Sequence, residues 1–307
     1  MGELEDGILL VDKAQGQSSH DVVQQVRKAT GIRRVGHAGT LDPFATGLLI
    51  ILIGQGTKIS EFITSLPKTY EGLIRLGIET DTYDKTGRVV KETQDLGVTA
   101  DEIRFALKGF LGEVDQTPPP FSALRIKGQR AYNLARKGKQ VRLAPRRVKI
   151  YDISLENVDL PFVGLRVKCS SGTYIRSLAF DLGKKLGCGA HLSELRRTEI
   201  GPFQVDKAIG SQSIEQIKKA EILDKMLSLV EALENIASVE IPQTLAAKVR
   251  KGYCPRFDEM GFDSGLPDMS DGHVKLVCEG RLVAIMKIEE SAQGIGARKS
   301  QLRRVFS

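Results

Sequence analysis

The sequence predicts an α+β protein with a larger N-terminal part and a small all-β module at the C-terminus. Three patterns carry this prediction. Stretches with period-two apolar alternation, such as "TYEGLIRL", are interleaved with stretches whose apolar residues recur at helical spacing. A basic segment led by "TPPP" leaves this pattern as an insertion. The tail "HVKLVCEGRLVAIMKIEE" reads as two apolar strands around a Glu-Gly turn, and "QLRRVF" can add a last strand.

The N-terminal stretch "GILLVDKAQGQSSHDVVQQVRKATG" predicts a strand, a turn and a helix. Ser18 or Ser19 can cap this helix, because a hydroxyl accepts hydrogen bonds from the free backbone N–H groups of the first turn. Gly31 ends it. Residues 48–53, "LLIILI", form a continuous apolar run, which is typical of a buried strand.

The chain has 307 residues, a length typical of about two domains. The stretch "FVGLRVKCSSGTYIRSLAFDLGKKLG" switches from strand to helix periodicity, and Thr173 can start that helix while Gly187 ends it. A polar, helix-rich passage at 211–235 leads to "IPQ", which is a candidate linker or boundary. We therefore divide the chain into domains at 1–237 and 238–307.

Composition excludes several classes of protein. The chain is 41% hydrophobic and can bury a core, yet no stretch approaches the roughly 20 apolar residues that a membrane helix needs. The acidic start "MGELEDG" lacks a signal-peptide pattern. The four cysteines form no C-x-x-C pair, and the four histidines form no close pair with another metal-ligating residue. We therefore expect a cytoplasmic protein with neither a disulfide framework nor a metal site.

Positive charge is concentrated in one segment. The net charge is +7, and between Asp115 and Asp152 every charged residue is basic. These residues are Arg125, Lys127, Arg130, Arg136, Lys137, Lys139, Arg142, Arg146, Arg147 and Lys149. Phe121, Tyr132 and Tyr151 are interleaved with them, a pattern typical of a nucleic-acid contact. A solvated surface loop is the alternative.

The stretch "GHAGTLDPFATG" is the strongest candidate for a functional loop. Its three glycines permit backbone angles or close approaches that bulkier residues forbid. Asp42 precedes Pro43, and a residue before proline takes extended geometry, which can present a carboxylate away from the backbone. Because Asp-Pro is also common turn chemistry, a purely structural turn is the alternative.

Partners for this carboxylate are less distinctive. A nucleophilic carboxylate needs a group that keeps it ionised, and Arg176 in "GTYIRSL" lies at the start of a helix that follows a buried strand. An ordinary surface arginine is the alternative. Tyr70 and Leu195 are further candidates, and a plain role in the core is the alternative for each. Phosphate-loop, dinucleotide-binding and zinc-protease motifs are absent from the sequence.

Six stretches together resemble the bacterial TruB-type tRNA pseudouridine synthases. They are "GILLVDKAQGQSSHDVV", "RRVGHAGTLDPFATGLLIILIGQGTK", "KTYEGLIRLG", "TDTYDKTG", "PPPFSALRIKGQRAYNLARKG" and "CSSGTYIRSLAFDLGKKLGCGAHLSELRRT", which follow the family's order over nearly the whole chain. One departure is Lys13-Ala14, where the family usually has Lys-Pro. The resemblance implies a mixed, mainly antiparallel sheet of the pseudouridine synthase type, a basic thumb insertion at 118–149 and a PUA-like RNA-binding module at the C-terminus.

The same resemblance implies an activity and roles for four residues. The activity is conversion of uridine to pseudouridine at position 55 in the T loop of tRNA, by a stand-alone enzyme without cofactor or metal. Asp42 would be the nucleophile, and attack on the sugar or on the uracil ring stays open. Arg176 would keep Asp42 charged and oriented. Tyr70 would stack on the target base and assist proton removal from C5, and Leu195 would close the apolar side of the pocket.

The resemblance also implies RNA contacts and a monomeric protein. His37 would fill the space that a flipped base vacates. The thumb would close on the T arm, and the C-terminal module would touch the acceptor side of tRNA. The expected RNA-binding residues besides His37 are Lys13, Arg125, Lys127, Arg130, Arg136, Arg142, Arg146 and Arg147.

Three other functions remain open from the sequence. A guide-RNA-dependent relative that modifies ribosomal RNA is the nearest, and the long basic insertion favours the stand-alone form over it. A non-catalytic tRNA-binding or tRNA-folding protein with the same fold is the second. An aspartate-nucleophile hydrolase is the third, and no second carboxylate in a suggestive position supports it.

Overall fold

The structure is a computed structural model that describes residues 6–122, 124–126, 129–130, 143–260, 272–290 and 298–306, with backbone alone at 125–126, 129–130, 290 and 298–299. The strands are β1 Gly7–Lys13, β2 Val35–Ala38, β3 Thr46–Ile53, β4 Lys68–Leu76, β5 Ile78–Thr80, β6 Val89–Glu92, β7 Gly112–Gln116, β8 Arg125–Ile126, β9 Gln129–Arg130, β10 Arg146–Asp159, β11 Phe162–Cys169, β12 Ala190–Ile200, β13 Phe203–Gln204, β14 Ile209–Gly210, β15 Ala237–Glu240, β16 His273–Cys278, β17 Arg281–Glu290 and β18 Arg298–Val305. The α-helices are α1 Ser19–Thr30, α2 Ser60–Ser65, α3 Ala100–Lys108, α4 Ile175–Leu186, α5 Lys219–Asp224 and α6 Gln243–Arg250. Short 3₁₀ helices lie at Gly54–Ile59, Val205–Lys207, Ser211–Gln216, Glu231–Leu233 and Asp258–Met260.

A ten-stranded mixed sheet dominates the N-terminal part. Its order is β14-β1-β3-β12-β4-β11-β10-β7, with β13 paired to β12 and β2 paired to β3. Most pairs are antiparallel, and the parallel ones are β1 with β14 and β3 with β12. The predicted mixed, mainly antiparallel sheet is therefore confirmed. Strands β3 and β12 pair at only two positions, at the start of β3, so the loop that enters β3 lies near the middle of the sheet.

Strand β3 explains why its sequence is apolar without alternation. Leu48, Ile50 and Leu52 pack in one hydrophobic cluster, whereas Leu49 and Ile51 pack in another that contains α1 residues. Both faces of the strand are covered, so a polar residue would have to be buried at either set of positions.

Helix boundaries follow local capping chemistry at α1. Ser18 is the N-cap, its side chain accepts from the backbone N–H of Asp21, and Asp21 completes a capping box. Gly31 closes the helix in the left-handed conformation with φ 73°. At α4 the prediction was wrong about the start, because Tyr174 is the N-cap and the Thr173 hydroxyl donates to the Ser170 carbonyl instead.

A second sheet forms the C-terminal module, in the order β15-β16-β17-β18. The two strands around the Glu279-Gly280 turn and the last strand are as predicted. Two details differ from the sequence prediction. Helix α6 packs in the module's core, so the module is not all-β. "IPQ" at 241–243 lies inside the module rather than at its boundary, because β15 precedes it and pairs with β16.

The C-terminal module packs directly on the large sheet. Leu282, Ile285 and Phe306 share a hydrophobic cluster with residues of β1 and β3. The ammonium of Lys275 is buried and donates to the Val230 and Leu233 carbonyls at 3.0 and 2.8 Å. Polar and apolar contacts together therefore attach the module to the face of the sheet that α1 does not cover.

Candidate active site

The loop between β2 and β3, residues 39–45, is fixed by hydrogen bonds to Gly16 and Ser19. The Ser19 hydroxyl accepts from the Leu41 N–H at 2.9 Å and lies 3.2 Å from the Leu41 carbonyl. The Gly16 N–H donates to the Pro43 carbonyl at 2.7 Å. A turn follows in which the Ala45 N–H donates to the Asp42 carbonyl at 3.1 Å. These bonds fix the backbone on both sides of Asp42, so its carboxylate is preorganised.

Gly47, the second residue of β3, follows this loop at a position that requires glycine. Its φ is 102°, and a Cβ at this position would lie 2.2 Å from the backbone oxygen of Arg197. No other residue permits both that backbone conformation and that approach of β3 to β12. The glycine therefore lets the loop enter the sheet at the point where these two strands pair.

Asp42 and Arg176 form a two-point ion pair. The Nε of Arg176 lies 2.9 Å from one carboxylate oxygen of Asp42, and Nη2 lies 3.2 Å from the other. The side chain of Arg176 is 5% exposed, whereas that of Asp42 is 34% exposed. The predicted pairing of these two residues is thus present in the geometry, with the carboxylate accessible and the guanidinium buried behind it.

Asp84 is a second carboxylate that pairs with Arg176, and we did not predict it from the sequence. Its Oδ2 lies 3.3 Å from Nη1 of Arg176. Its Oδ1 accepts from the Thr82 hydroxyl at 2.8 Å and the Thr86 N–H at 2.9 Å. A signal was available in "DKTG", because an aspartate that accepts from the N–H two residues later forms an Asx turn. The turn fixes Asp84, which in turn fixes the guanidinium plane.

Two backbone carbonyls also accept hydrogen bonds from the Arg176 guanidinium, whereas its buried Nε makes no hydrogen bond to a described residue. Besides the two carboxylates, Nη1 donates to the Thr82 carbonyl and Nη2 to the Phe121 carbonyl, each at 3.0 Å. A guanidinium held at this many points cannot rotate away from Asp42.

Opposing effects act on the Asp42 carboxyl. Burial raises its pKa above the ordinary value, and the negative charge of Asp84 raises it further. The guanidinium of Arg176 acts in the opposite direction and favours the ionised form. The net effect raises the pKa of Asp42, so its ionised form is less stabilised than that of a carboxylate in water.

Arg197 on β12 was not singled out from the sequence, yet it holds the same loop. It is 1% exposed, and its guanidinium donates to the Leu48 carbonyl at 2.7 Å and the Gly39 carbonyl at 3.0 Å. It is also the register partner of Tyr70, and its charge acts to lower the pKa of the Tyr70 phenol, against the larger effect of burial. The only sequence signal was a charged pair, "RR", within an otherwise strand-like stretch.

Tyr70 and Leu195 are two further candidates from the sequence, and the roles expected of them stay predictions. Both are buried, on β4 and β12, and both line a cavity of about 260 Å³ together with Asp42 and Arg176. Burial raises the pKa of Tyr70 above 10.0, so the phenol is neutral at pH 7 and offers an uncharged aromatic surface. The structure therefore brings all four predicted catalytic residues to one cavity.

His37 lies on β2, opposite Ile51 of β3. Its Nδ1 is buried and has no hydrogen-bond partner among the described residues. Burial and the positive charge of Arg197 lower the pKa of His37, so the imidazole is neutral at pH 7. It is not one of the residues that line the cavity.

Lys13 corrects one expectation. Its side chain is fully buried, and its ammonium donates to the Ala14 and Gln17 carbonyls at 3.0 and 2.8 Å and lies 3.5 Å from the Pro43 carbonyl. Burial lowers its pKa to about 8 despite the nearby charge of Asp42. An ammonium engaged in this way positions the loop and presents no donor to an RNA phosphate.

The basic insertion is only partly described. Lys127, Arg136 and Arg142 lie outside the described residues, and Arg125 and Arg130 are described as backbone, in the paired strands β8 and β9. The two neighbours at the start of β10 differ sharply. Arg146 lines the cavity, whereas Arg147 is exposed and lies 3.6 Å from both Glu113 and Asp115.

Metal and membrane features are also absent from the described part of the chain. No group of three or more His, Cys, Asp or Glu side chains could hold a metal ion within it. None of its helices is long and apolar enough to cross a membrane. All four cysteines, which belong to this part, are free thiols.

Two known protein families together match most of this sequence. The family described as "TruB family pseudouridylate synthase (N terminal domain)" matches residues 27–175, and the "tRNA pseudouridylate synthase B C-terminal domain" matches residues 176–234. A protein of Syntrophus aciditrophicus named tRNA pseudouridine synthase B is 40% identical, over 92% of this chain and 91% of that protein. A protein of Thermotoga maritima with the same name is 40% identical, over 99% of each chain.

Solved structures give the same fold. A chain of a Cbf5-Nop10-Gar1 complex superposes with a TM-score of 0.74 at 26% identity, covering 99% of this chain and 86% of that one. A chain of an H/ACA RNP bound to a substrate RNA containing 2'-deoxyuridine superposes with a TM-score of 0.73 at 24% identity and the same coverage. The second likeness concerns the fold alone.

Proposed function

We propose that this chain, which belongs to the TruB family of pseudouridylate synthases, converts a uridine of tRNA to pseudouridine with Asp42 as its nucleophile. The observation that carries the proposal is the two-point pair between Asp42 and Arg176 at a cavity lined by Tyr70 and Leu195. The partly exposed carboxylate of Asp42 lines the cavity that a base could enter, and the buried guanidinium favours the ionised form of that carboxylate.

The chemistry can be written without a redox step. Asp42 attacks the target nucleoside, at the sugar or at the uracil ring, and the bond between N1 and C1' breaks. The freed ring turns so that C5 meets C1', a C5–C1' bond forms, and the bond to Asp42 breaks, which frees the carboxylate. The proton of C5 is lost while N1 gains one. Product and substrate are isomers, so no co-reactant is consumed.

Several described groups suit this sequence of steps. The preorganised backbone of the Asp42 loop removes the cost of orienting the nucleophile during the reaction. The apolar wall at Leu195 limits water near a covalent intermediate. Tyr70 is a neutral phenol, which favours a stacking role and makes proton removal from C5 depend on its hydroxyl oxygen rather than a phenolate.

The proposed substrate is the T arm of tRNA, with the target at position 55. The names of the relatives and the basic insertion at 118–149 support a tRNA substrate. The base must leave its stack to reach Asp42, and His37 would occupy the vacated space. We further propose that the enzyme acts as a cytoplasmic monomer, that its thumb closes on the T arm and that its PUA-like module contacts the acceptor side.

One experiment tests the reaction itself. The purified protein is mixed with an unmodified T-arm hairpin, with neither cofactor nor guide RNA added, and pseudouridine is mapped by chemical probing. We expect product at the target uridine with the wild-type protein and none with Asp42→Asn. Product that requires a guide RNA would support the guide-dependent alternative, and tight binding without product would support a binding or folding protein.

A further inference from the structure

Arg146 differs from the other cations that line the cavity. Its guanidinium carbon lies 4.5 Å from the centre of the Tyr174 ring, a stacked cation–π geometry. Gly172 also lies next to the guanidinium, because a Cβ at that position would be in ordinary van der Waals contact with it at 3.5–3.6 Å. The Nε of Arg146 is buried and has no hydrogen-bond partner in the described part of the chain.

The remaining cations of the cavity wall are engaged elsewhere. Arg176 is held by two carboxylates and two carbonyls. Arg197 donates to carbonyls of the Asp42 loop and of β3. The ammonium of Lys68 donates to the Thr64 and Leu66 carbonyls. The Nε of Arg176 also lacks a hydrogen bond, but Arg146 is the one cation of the described wall whose guanidinium makes neither a hydrogen bond nor an ion pair with a described residue.

The charge of the wall points to an anionic ligand group. Four cationic side chains line the cavity, namely Lys68, Arg146, Arg176 and Arg197, whereas Asp42 is the one acidic residue in the described lining. A uracil ring carries no charge and does not need this excess. A nucleotide brings a phosphate, and a stacked guanidinium is the side chain best suited to bind it through two parallel hydrogen bonds.

We propose that Arg146, stacked on Tyr174, forms a phosphate subsite that binds a backbone phosphate flanking the nucleotide whose base enters the cavity. The inference rests on the proposed function, because it assumes an RNA substrate whose base reaches Asp42. It adds a fixed point for the RNA backbone close to the nucleophile. The subsite would set how far the target nucleotide enters the cavity, which general attraction by the basic insertion cannot do.

The neighbouring Arg147 provides a matched control. It lies on the same strand one residue away, is exposed, and already faces Glu113 and Asp115. Substituting either arginine with glutamine removes one positive charge from the same strand. A general electrostatic effect would therefore appear in both variants, whereas a phosphate subsite would appear only in the variant at Arg146.

The test replaces single phosphates of the T-arm hairpin with neutral methylphosphonates at the two linkages that flank the target. Binding is measured in an Asp42→Asn background, so that turnover does not interfere. At one of the two linkages, we expect the methylphosphonate to lower the affinity of the Asp42→Asn protein about tenfold. This is the size of a lost charge-assisted hydrogen bond. Arg146→Gln should bind the unsubstituted hairpin about tenfold more weakly and lose its sensitivity to that linkage. Arg147→Gln should keep its sensitivity to that linkage.

Two results would overturn the subsite. One is an Arg146→Gln protein that keeps the full methylphosphonate penalty at the sensitive linkage, and the other is an equal loss of sensitivity in Arg147→Gln. A thermal melt checks that each variant is folded. Arg146→Lys is a further variant, which supplies a point charge without the planar fork of a guanidinium. Pseudouridine formation by the wild-type protein is scored separately, so absence of product counts against the proposed function and absence of coupling counts against the subsite.

Discussion

Two buried arginines approach the Asp42 loop, and they are held in opposite ways. Arg176, at the start of α4, faces two carboxylates and touches the reacting group itself. Arg197, on β12, has no carboxylate within ion-pair distance among the described residues and donates to backbone carbonyls of the loop and of β3. The difference separates electrostatics from positioning. One arginine sets the charge state of Asp42, and the other sets where the loop lies.

Arg176→Lys should produce the largest effect on the rate. A lysine keeps the positive charge but cannot reach both oxygens of Asp42 and the carboxylate of Asp84 at once. We expect kcat to fall about a hundredfold, the usual effect of removing an oriented electrostatic group. Single-turnover pseudouridine formation measures this, and a wild-type rate would show that Arg176 is not the partner of Asp42.

Arg197→Lys should affect stability more than Arg176→Lys does. The substitution leaves loop carbonyls without donors, and we expect the free energy of unfolding to fall by about 1–3 kcal/mol. The rate should fall about tenfold, because the loop that carries Asp42 is less well placed. Urea unfolding and single-turnover kinetics on the same samples test both effects. A large loss of rate at unchanged stability would instead give Arg197 a chemical role.

Asp84→Asn should shift the pH dependence of the reaction. The negative charge of Asp84 raises the pKa of Asp42, so removing that charge lowers the pKa of Asp42. Activity requires ionised Asp42 and is lost as the pH falls through its pKa, so the acidic limb of the rate profile should move to lower pH. A limb that stays in place or moves to higher pH would contradict this coupling.

Arg147→Gln should have the smallest effect. Its carboxylate partners are exposed and lie 3.6 Å away, so the pairs contribute at most about 1 kcal/mol. We expect kcat to be unchanged and the unfolding midpoint to shift only slightly in a thermal melt. A loss of kcat comparable to that of Arg176→Lys would mean that the outer face of β10 takes part in the site.

Local patterns could predict the elements whose causes are local. The Ser18 cap and the end of α1 at Gly31 depend on groups a few residues apart, and the run at 48–53 reports burial of β3 on both faces. Helix α6 was missed because its eight residues follow a short strand that pairs with a strand more than thirty residues later. No short-range pattern reports such a pairing.

The candidate site shows the same distinction between residues with local signals and residues whose contacts are long-range. Asp42, Tyr70, Arg176 and Leu195 were predicted through resemblance, and residue chemistry alone left each open to a structural interpretation. Asp84 and Arg197 required the fold, because Arg176 and the loop carbonyls that they contact lie far away in the sequence. Lys13 required it because burial of its side chain depends on the whole fold, although two of its acceptors are the nearby Ala14 and Gln17 carbonyls. Arg197, for example, holds a carbonyl 158 residues away. Hydrogen bonds to backbone carbonyls place no demand on the identity of the partner residue, so the sequence carries no mark of them.

Tritium release from a T-arm hairpin labelled at C5 of the target uridine shows whether Asp42 is the nucleophile. The parent protein and Asp42→Asn are compared in a single turnover, with binding of the same RNA measured in parallel. We expect Asp42→Asn to bind the RNA and to release no tritium. Release from Asp42→Asn at the rate of the parent protein would show that Asp42 is not the nucleophile.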